Sequence, residues 1–90
     1  MKYRIGIIGV GYVGLPLINA FANKDYYVKA YDINSKRINQ LLKNIDLTNE
    51  ISTKDLVKLN NKNIFTDKYA DISDCNVYIV TVPTPVNSHN

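Results

Sequence analysis

The sequence has a single cysteine, Cys75, among its 90 residues. One cysteine forms no disulfide within the chain, and chains without disulfides are typical of a reducing compartment, so we expect a cytoplasmic protein. No apolar run approaches the roughly 20 residues that a membrane-spanning helix needs. The short apolar segment after Lys2 and Arg4 is interrupted by glycines, which favours a buried strand over a signal peptide. We therefore expect no membrane partner.

Long runs of one charge are also absent. The formal net charge is +3, but the lysines are scattered along the chain without a basic cluster. Scattered lysines are typical of a solvated surface, so no nucleic-acid partner is expected. A chain of 90 residues makes at most one domain, which excludes a large two-domain enzyme within it.

Apolar patterning predicts alternating strands and helices. Short apolar runs rich in β-branched and aromatic residues predict strands at 3–8, 26–31, 64–66 and 77–82. Helical repeats predict a helix over 12–23, a second that starts after Asn34 or Ser35 and uses Ile38, Leu41, Leu42 and Ile45, and a short third helix after Ser52. One helical turn is expected within 69–75. Such alternation favours a parallel sheet with right-handed crossovers.

A glycine motif links the first strand to the first helix. Gly9, Gly11 and Gly14 form a G-x-G-x-x-G pattern around Tyr12 and Val13. The first glycine permits a tight turn, the second lets the backbone approach a pyrophosphate, and the third lets the helix press against the strand. The diphosphate would rest on the N–H groups of Tyr12 and Val13 at the helix N-terminus. The alternative is a plain strand-to-helix turn.

Asp32 ends the second predicted strand, roughly 20 residues after the glycine motif. A carboxylate at this position accepts hydrogen bonds from the adenosine ribose and repels a 2′-phosphate, which predicts NAD over NADP. Lys36 and Arg37 lie close by, but the carboxylate decides the prediction for NAD. The alternative role for Asp32 is a helix-capping or surface carboxylate.

A threonine-proline run, T-V-P-T-P, follows at residues 81–85. It lies at the carboxyl end of the last predicted strand, where open parallel sheets bind ligands. Thr84, held between two prolines, is a candidate contact to the nicotinamide-side ribose or phosphate. The alternative is that Pro83 and Pro85 only end the strand.

Together these features predict an α/β fold, a Rossmann-type three-layer α/β/α domain with at least four parallel strands in the order 3-2-1-4. Because a full dinucleotide-binding domain has six strands, residues 1–90 are expected to form the N-terminal part of one, incomplete at one edge of the sheet.

Three runs carry a resemblance to a known family. They are G-I-I-G-V-G-Y-V-G-L-P-L (6–17), Y-D-I-N-S-K-R-I (31–38) and V-Y-I-V-T-V-P-T-P-V (77–86). In order and spacing the chain resembles the N-terminal domain of the UDP-glucose/GDP-mannose dehydrogenase family, and within it the branch that oxidises UDP-N-acetylhexosamines for surface polysaccharides. The resemblance implies that the sugar C6 alcohol is oxidised to a carboxylate in two hydride transfers that reduce two NAD.

The resemblance also implies roles for individual residues. Tyr12 and Val13 would belong to the pyrophosphate loop, Asp32 and Arg37 would contact the adenosine ribose, and Thr84 would make a further cofactor contact. The family's catalytic cysteine, its lysine and its sugar-binding segment belong beyond residue 90, so the resemblance implies that this chain has no catalytic residue and is inactive alone. The missing domains would bind the nucleotide sugar, and the parent protein is expected to be a homo-oligomer.

Two reactive side chains are expected to have no role in the chemistry. Cys75 lies just before the last strand, and we interpret it as an inert thiol. His89 has no partner at metal-ligand spacing, so no metal site is predicted. Two other functions remain open from the residues alone: another NAD-dependent hydroxy-acid or hydroxyacyl dehydrogenase, or a non-catalytic nucleotide-sensing module. A catalytic cysteine later in the parent gene would favour the nucleotide-sugar enzyme.

Overall fold

The computed structural model describes residues 3–11 and 13–81 of the chain. Its elements are, in order, β1 (Arg4–Ile8), α1 (Gly14–Asn23), β2 (Tyr27–Tyr31), α2 (Ser35–Leu42), α3 (Thr53–Asn61), β3 (Phe65–Thr66), a 3-10 helix (Tyr69–Ile72) and β4 (Val77–Val80). This order confirms the predicted alternation of strands and helices. Over the same residues, no helix has the length and apolar character required to cross a membrane.

The four strands form one parallel sheet in the order β3-β2-β1-β4, which confirms the predicted 3-2-1-4 order. β1 lies inside the sheet, where Ile7 is paired with Ala30 of β2 and with Ile79 of β4. Because all strands point the same way, their carboxyl ends lie at the same end of the sheet. Within the described residues β4 pairs only with β1, in agreement with the predicted open edge.

One face of the sheet carries the apolar core. Ile5 and Ile7 of β1 and Val28 and Ala30 of β2 alternate along their strands toward the same face, and none of them is more than 5% exposed. The three α-helices cover this face with Leu15, Ile18, Ile38, Leu41, Leu56 and Leu59. Removing this shared apolar surface from water is the main favourable contribution to folding.

The 3-10 helix lies on the opposite face. The Tyr78 hydroxyl donates a 2.7 Å hydrogen bond to the Ile72 carbonyl, and the rings of Tyr31 and Tyr69 meet edge to face with centroids 6.2 Å apart. Helical segments therefore lie on both faces of the sheet. A groove of about 540 Å³ remains on this second face, lined by Ile8, Tyr31, Tyr69, Ile72, Ser73 and Tyr78.

Both predicted helix caps are present. The Asn34 side chain accepts a 3.1 Å hydrogen bond from the Arg37 N–H, so Asn34 rather than Ser35 caps α2. The Ser52 hydroxyl oxygen accepts one of 3.1 Å from the Asp55 N–H at the start of α3. Each bond satisfies an N–H group that the helix itself leaves without an acceptor.

The predicted helix boundaries were wrong in two places. α2 ends at Leu42 because the chain turns at Asn44, which adopts a positive φ of 64°. Leu42 and Ile45, predicted to lie on the apolar face, are 49% and 43% exposed. Val13 was predicted to lie within the first helix, over 12–23, but α1 begins at Gly14 and Val13 is 65% exposed.

Candidate functional site

The chain leaves β1 through a tight turn at Gly9. Gly9 has a φ of 105°, a conformation that side chains other than glycine rarely adopt. Its N–H donates a 2.8 Å hydrogen bond to the Tyr31 carbonyl of β2. Its carbonyl accepts a 2.6 Å hydrogen bond from the Thr81 hydroxyl, which follows β4. The first glycine of the motif is therefore fixed to both neighbouring strands.

Gly14 presses the start of α1 against this turn. A methyl group added at Gly14 would overlap the Gly9 carbonyl oxygen and would lie 2.6 Å from the Thr81 Oγ1. Both obstacles belong to the same hydrogen bond, so neither moves without breaking it. The close helix–strand packing predicted for the third glycine is present.

Gly11 faces open space. A methyl group added at this position would meet no heavy atom within 4 Å, and Gly11 does not have a positive φ. Neither local sterics nor conformation therefore explains a glycine here. Space at this point is what the backbone needs to approach a bound diphosphate.

The N–H groups around Gly11 are available to a ligand. Within residues 3–11 and 13–81, the N–H groups of Gly11, Val13 and Gly14 make no hydrogen bond. The first N–H groups of a helix have no acceptor inside the helix and carry the positive end of its dipole. The junction between β1 and α1 thus presents donors to an anion beside an open space.

Val10 is held on both sides by side chains from other elements. Its N–H donates a 2.9 Å hydrogen bond to Oδ2 of Asp32, and its carbonyl accepts one of 2.8 Å from Nε of Arg37. Asp32 also accepts a 2.9 Å hydrogen bond from the Asn34 N–H through Oδ1. Asp32 and Arg37 therefore fix the loop that presents the open N–H groups.

Arg37 is in turn held by the connection between α2 and α3. Its Nη1 lies 3.0 Å from Oδ1 of Asp46, and its Nη2 donates a 3.3 Å hydrogen bond to the Thr48 hydroxyl. The side chains of Arg37 and Asp46 are only 10% and 5% exposed. Sequence reasoning missed Asp46, although an aspartate two residues before a threonine in a polar stretch is a pattern typical of a side-chain turn.

Asp46 stays ionised in this setting. Burial alone would raise the pKa of its carboxyl, but hydrogen bonds from Thr48, from the Ile51 and Glu50 N–H groups and from Arg37 outweigh burial and lower the pKa. A charged acceptor strengthens the bonds from Arg37 and from the backbone. Asp46 and Arg37 therefore form an almost buried ion pair next to the glycine loop.

The described part of the site contains most residues predicted from the sequence. Gly9, Gly11, Val13 and Gly14 lie at the junction of β1 and α1, while Asp32 and Arg37 contact the loop at Val10. Tyr12 and Thr84 lie outside the described residues. Sequence reasoning also missed Thr81, whose polar side chain at the end of the strand beside β1 was the available signal.

The other reactive side chains lie elsewhere. Cys75 is buried, and burial together with the Asp74 carboxylate raises the pKa of its thiol. A raised pKa keeps the thiol protonated and a poor nucleophile. Among the described residues, no group of three or more His, Cys, Asp or Glu side chains is arranged to hold a metal ion. His89 lies outside the described residues.

The sequence matches a family model over residues 3–90, that of the NAD-binding domain of the UDP-glucose/GDP-mannose dehydrogenase family. Protein CapL of Staphylococcus aureus is 42% identical over 91 residues, which cover 100% of this chain and 20% of that protein. The UDP-N-acetyl-D-glucosamine 6-dehydrogenase of Pseudomonas aeruginosa is 42% identical over 86 residues, or 96% of this chain and 20% of that protein. The chain thus spans about a fifth of the length of these relatives.

A solved structure shares the fold. The UDP-glucose dehydrogenase of the archaeon Pyrobaculum islandicum superimposes with a TM-score of 0.78 at 19% sequence identity. The match covers 98% of this chain and 21% of that one. The Rossmann-type architecture predicted from the sequence is confirmed.

Proposed function

Because the chain belongs to the UDP-glucose/GDP-mannose dehydrogenase family and matches its NAD-binding domain, we propose that it is the N-terminal part of the cofactor domain of a nucleotide-sugar 6-dehydrogenase. The observation that carries this proposal is the β1–α1 junction, where the N–H groups of Gly11, Val13 and Gly14 have no partner among the described residues and Gly11 faces open space. These donors fit an anionic diphosphate. NAD, when bound, supplies the nicotinamide ring that accepts a hydride.

Each residue of the site has a proposed task. The N–H groups of the loop, including those of Tyr12 and Val13, bind the pyrophosphate. Asp32 binds the adenosine ribose, because among the described residues each of its oxygens accepts one hydrogen bond and a carboxylate accepts about four in total. Arg37 contributes the guanidinium N–H groups that do not contact Val10, Asp46 or Thr48, and Thr84 makes a further cofactor contact.

We also propose the reaction of the whole protein. Its substrate is a UDP-N-acetylhexosamine, supported by the 42% identity to a relative named UDP-N-acetyl-D-glucosamine 6-dehydrogenase. Two successive hydride transfers from C6 to two NAD would turn the alcohol into a carboxylate. The catalytic and sugar-binding residues would lie outside these 90, so the chain alone would bind NAD without turnover. We propose a cytoplasmic location and a homo-oligomeric parent.

Replacing Asp32 with alanine is expected to raise the dissociation constant for NAD about 10- to 100-fold. This factor corresponds to the free energy of one hydrogen bond to a charged group. The variant loses the ribose acceptor and also the acceptor that holds Val10. Isothermal titration calorimetry of the chain and the variant measures the change. Equal affinity of the two proteins for NAD would contradict the ribose role.

Asp25→Asn is the matched control for the loss of a carboxylate. Asp25 lies in the turn between α1 and β2, at the amino-terminal end of the strands, whereas the glycine loop lies at their carboxyl end. The Asp25 side chain is 94% exposed. Its NAD affinity is expected to equal that of the unchanged chain. A similar loss in both variants would attribute the effect to net charge and not to the ribose contact.

A further inference from the structure

Asp46 lies outside the residues assigned to the cofactor. Its carboxylate accepts four hydrogen bonds from its own loop: 3.1 Å from the Thr48 N–H, 2.7 Å from the Thr48 hydroxyl, 2.7 Å from the Glu50 N–H and 3.2 Å from the Ile51 N–H. Because the loop holds it without help from Arg37, the carboxylate is a fixed anchor to which the guanidinium is drawn.

Arg37 is oriented by three contacts in different directions. Nε points to the Val10 carbonyl, Nη1 to Asp46 and Nη2 to the Thr48 hydroxyl. A planar guanidinium with three such partners has a fixed plane and position. Loss of the Asp46 contact would release the outer end of the side chain while leaving its base on α2.

This arrangement bears on the choice between NAD and NADP. In dinucleotide-binding domains an acidic residue binds the ribose hydroxyls of NAD, whereas a nearby arginine accommodates the 2′-phosphate of NADP. Asp32 and Arg37 meet on the two sides of Val10, so both elements are present here. What decides between them is whether the arginine charge is available.

We propose that Asp46 is a specificity-determining residue: by pairing with Arg37 and holding it against Val10, it compensates the guanidinium charge that a 2′-phosphate would need, leaves the remaining N–H groups of Arg37 to the ribose, and keeps the site selective for NAD. This inference rests on the proposed function, since it requires NAD at the glycine loop. Asp46 acts through Arg37 and does not touch the cofactor. The same contact steadies the Val10 carbonyl and therefore the loop.

The test is the ratio of NADP to NAD dissociation constants, measured by calorimetry on the chain and on Asp46→Asn. Freeing the guanidinium is expected to lower this ratio roughly tenfold, because a tenfold change corresponds to the free energy of one charge-assisted hydrogen bond to the phosphate. The double variant Asp46→Asn/Arg37→Met is expected to show no such gain, and Asp25→Asn is expected to leave the ratio unchanged. An unchanged ratio in a folded Asp46→Asn protein would overturn the proposal.

Thr48→Val provides a second route if Asp46→Asn does not fold. It removes the acceptor for Nη2 of Arg37 and one donor to Asp46, and a smaller fall in the same ratio is expected. A folded Thr48→Val protein with an unchanged ratio would equally overturn the proposal.

Amide NMR of the chain without cofactor tests the link from Asp46 to the loop independently of NAD binding. Asp46→Asn is expected to shift the Val10 and Gly11 amide signals and to speed solvent exchange of the Arg37 Nε–H, whereas Asp25→Asn is expected to do neither. If those signals do not change, the link from Asp46 to the loop is refuted whether or not NAD binds. If they change but the unchanged chain binds no NAD, the proposed function fails and the specificity role fails with it.

Discussion

Gly14→Ala is expected to destabilise the fold by about 3 kcal/mol or more, the upper part of the range for an overpacked core. The added methyl would overlap the Gly9 carbonyl oxygen and crowd the Thr81 hydroxyl. Relief requires moving α1 away from β1 or breaking the 2.6 Å hydrogen bond between Thr81 and Gly9. No side-chain rotation removes the overlap, because the obstacle is backbone.

Thermal unfolding measures this effect. For a domain of this size a loss of 3 kcal/mol lowers the melting temperature by roughly 12 to 24 °C. Gly6→Ala is the matched control, because its added methyl would lie 3.0 Å from the ring of Tyr78 and 3.3 Å from the Cβ of Cys75, contacts that shifts of a few tenths of an ångström relieve. Its loss of stability is expected to be smaller. A Gly14→Ala protein that melts within a few degrees of the unchanged chain would contradict the close packing described here.

Gly11→Ala, unlike Gly14→Ala, is expected to leave the stability of the fold almost unchanged and to weaken NAD binding. Its methyl meets nothing within 4 Å and its backbone does not need a positive φ, so stability is expected to change by about 0.5 kcal/mol at most. The methyl would occupy the space where the diphosphate approaches the backbone. We expect NAD affinity to fall at least about tenfold, equivalent to about 1.4 kcal/mol.

Calorimetric titration with NAD, run beside a melting curve of the same sample, tests this prediction. Val13→Ala is a useful control because Val13 is 65% exposed and its substitution leaves the backbone N–H groups in place. NAD affinity is expected to be kept in that variant. A Gly11→Ala protein that binds NAD as tightly as the unchanged chain would show that the cofactor does not approach the loop at this point.

Much of the fold and of the loop could be predicted because the signals are local. Gly9 reflects a positive φ and Gly14 a close contact with the preceding turn, and Asp32 follows directly from the end of a strand. The order of the strands is the one expected of the Rossmann-type fold that the glycine motif indicates. These features need only the sequence period and the turn chemistry of neighbouring residues.

The contacts that fix the loop could not be predicted in the same way. Arg37 was assigned to the ribose by resemblance, yet its three described contacts are with Val10, Asp46 and Thr48. They depend on how the α2–α3 connection folds back over α2, which no periodicity reveals. The bond from Thr81 to Gly9 likewise joins residues far apart in sequence. The apolar pattern at Leu42 and Ile45 wrongly predicted that the second helix continues to Ile45. The helix ends earlier because Asn44 adopts a positive φ.

Asp32 shows why one residue can fit two interpretations. The structure gives it two backbone N–H donors, from Val10 and Asn34, so Asp32 holds the loop, whereas the cap of α2 is Asn34. The same geometry leaves acceptor sites on both oxygens. Holding the loop and binding a ribose are therefore compatible tasks for one carboxylate.

The N–H groups between β1 and α1 are proposed to bind the diphosphate of NAD, and amide NMR during titration of the chain with NAD observes these groups themselves. We predict that the Gly11, Val13 and Gly14 amide signals shift the most and saturate together with the Asp32 signal, while those of the turn between α1 and β2 stay fixed. Saturable NAD binding that leaves the Gly11, Val13 and Gly14 signals unmoved would contradict the account.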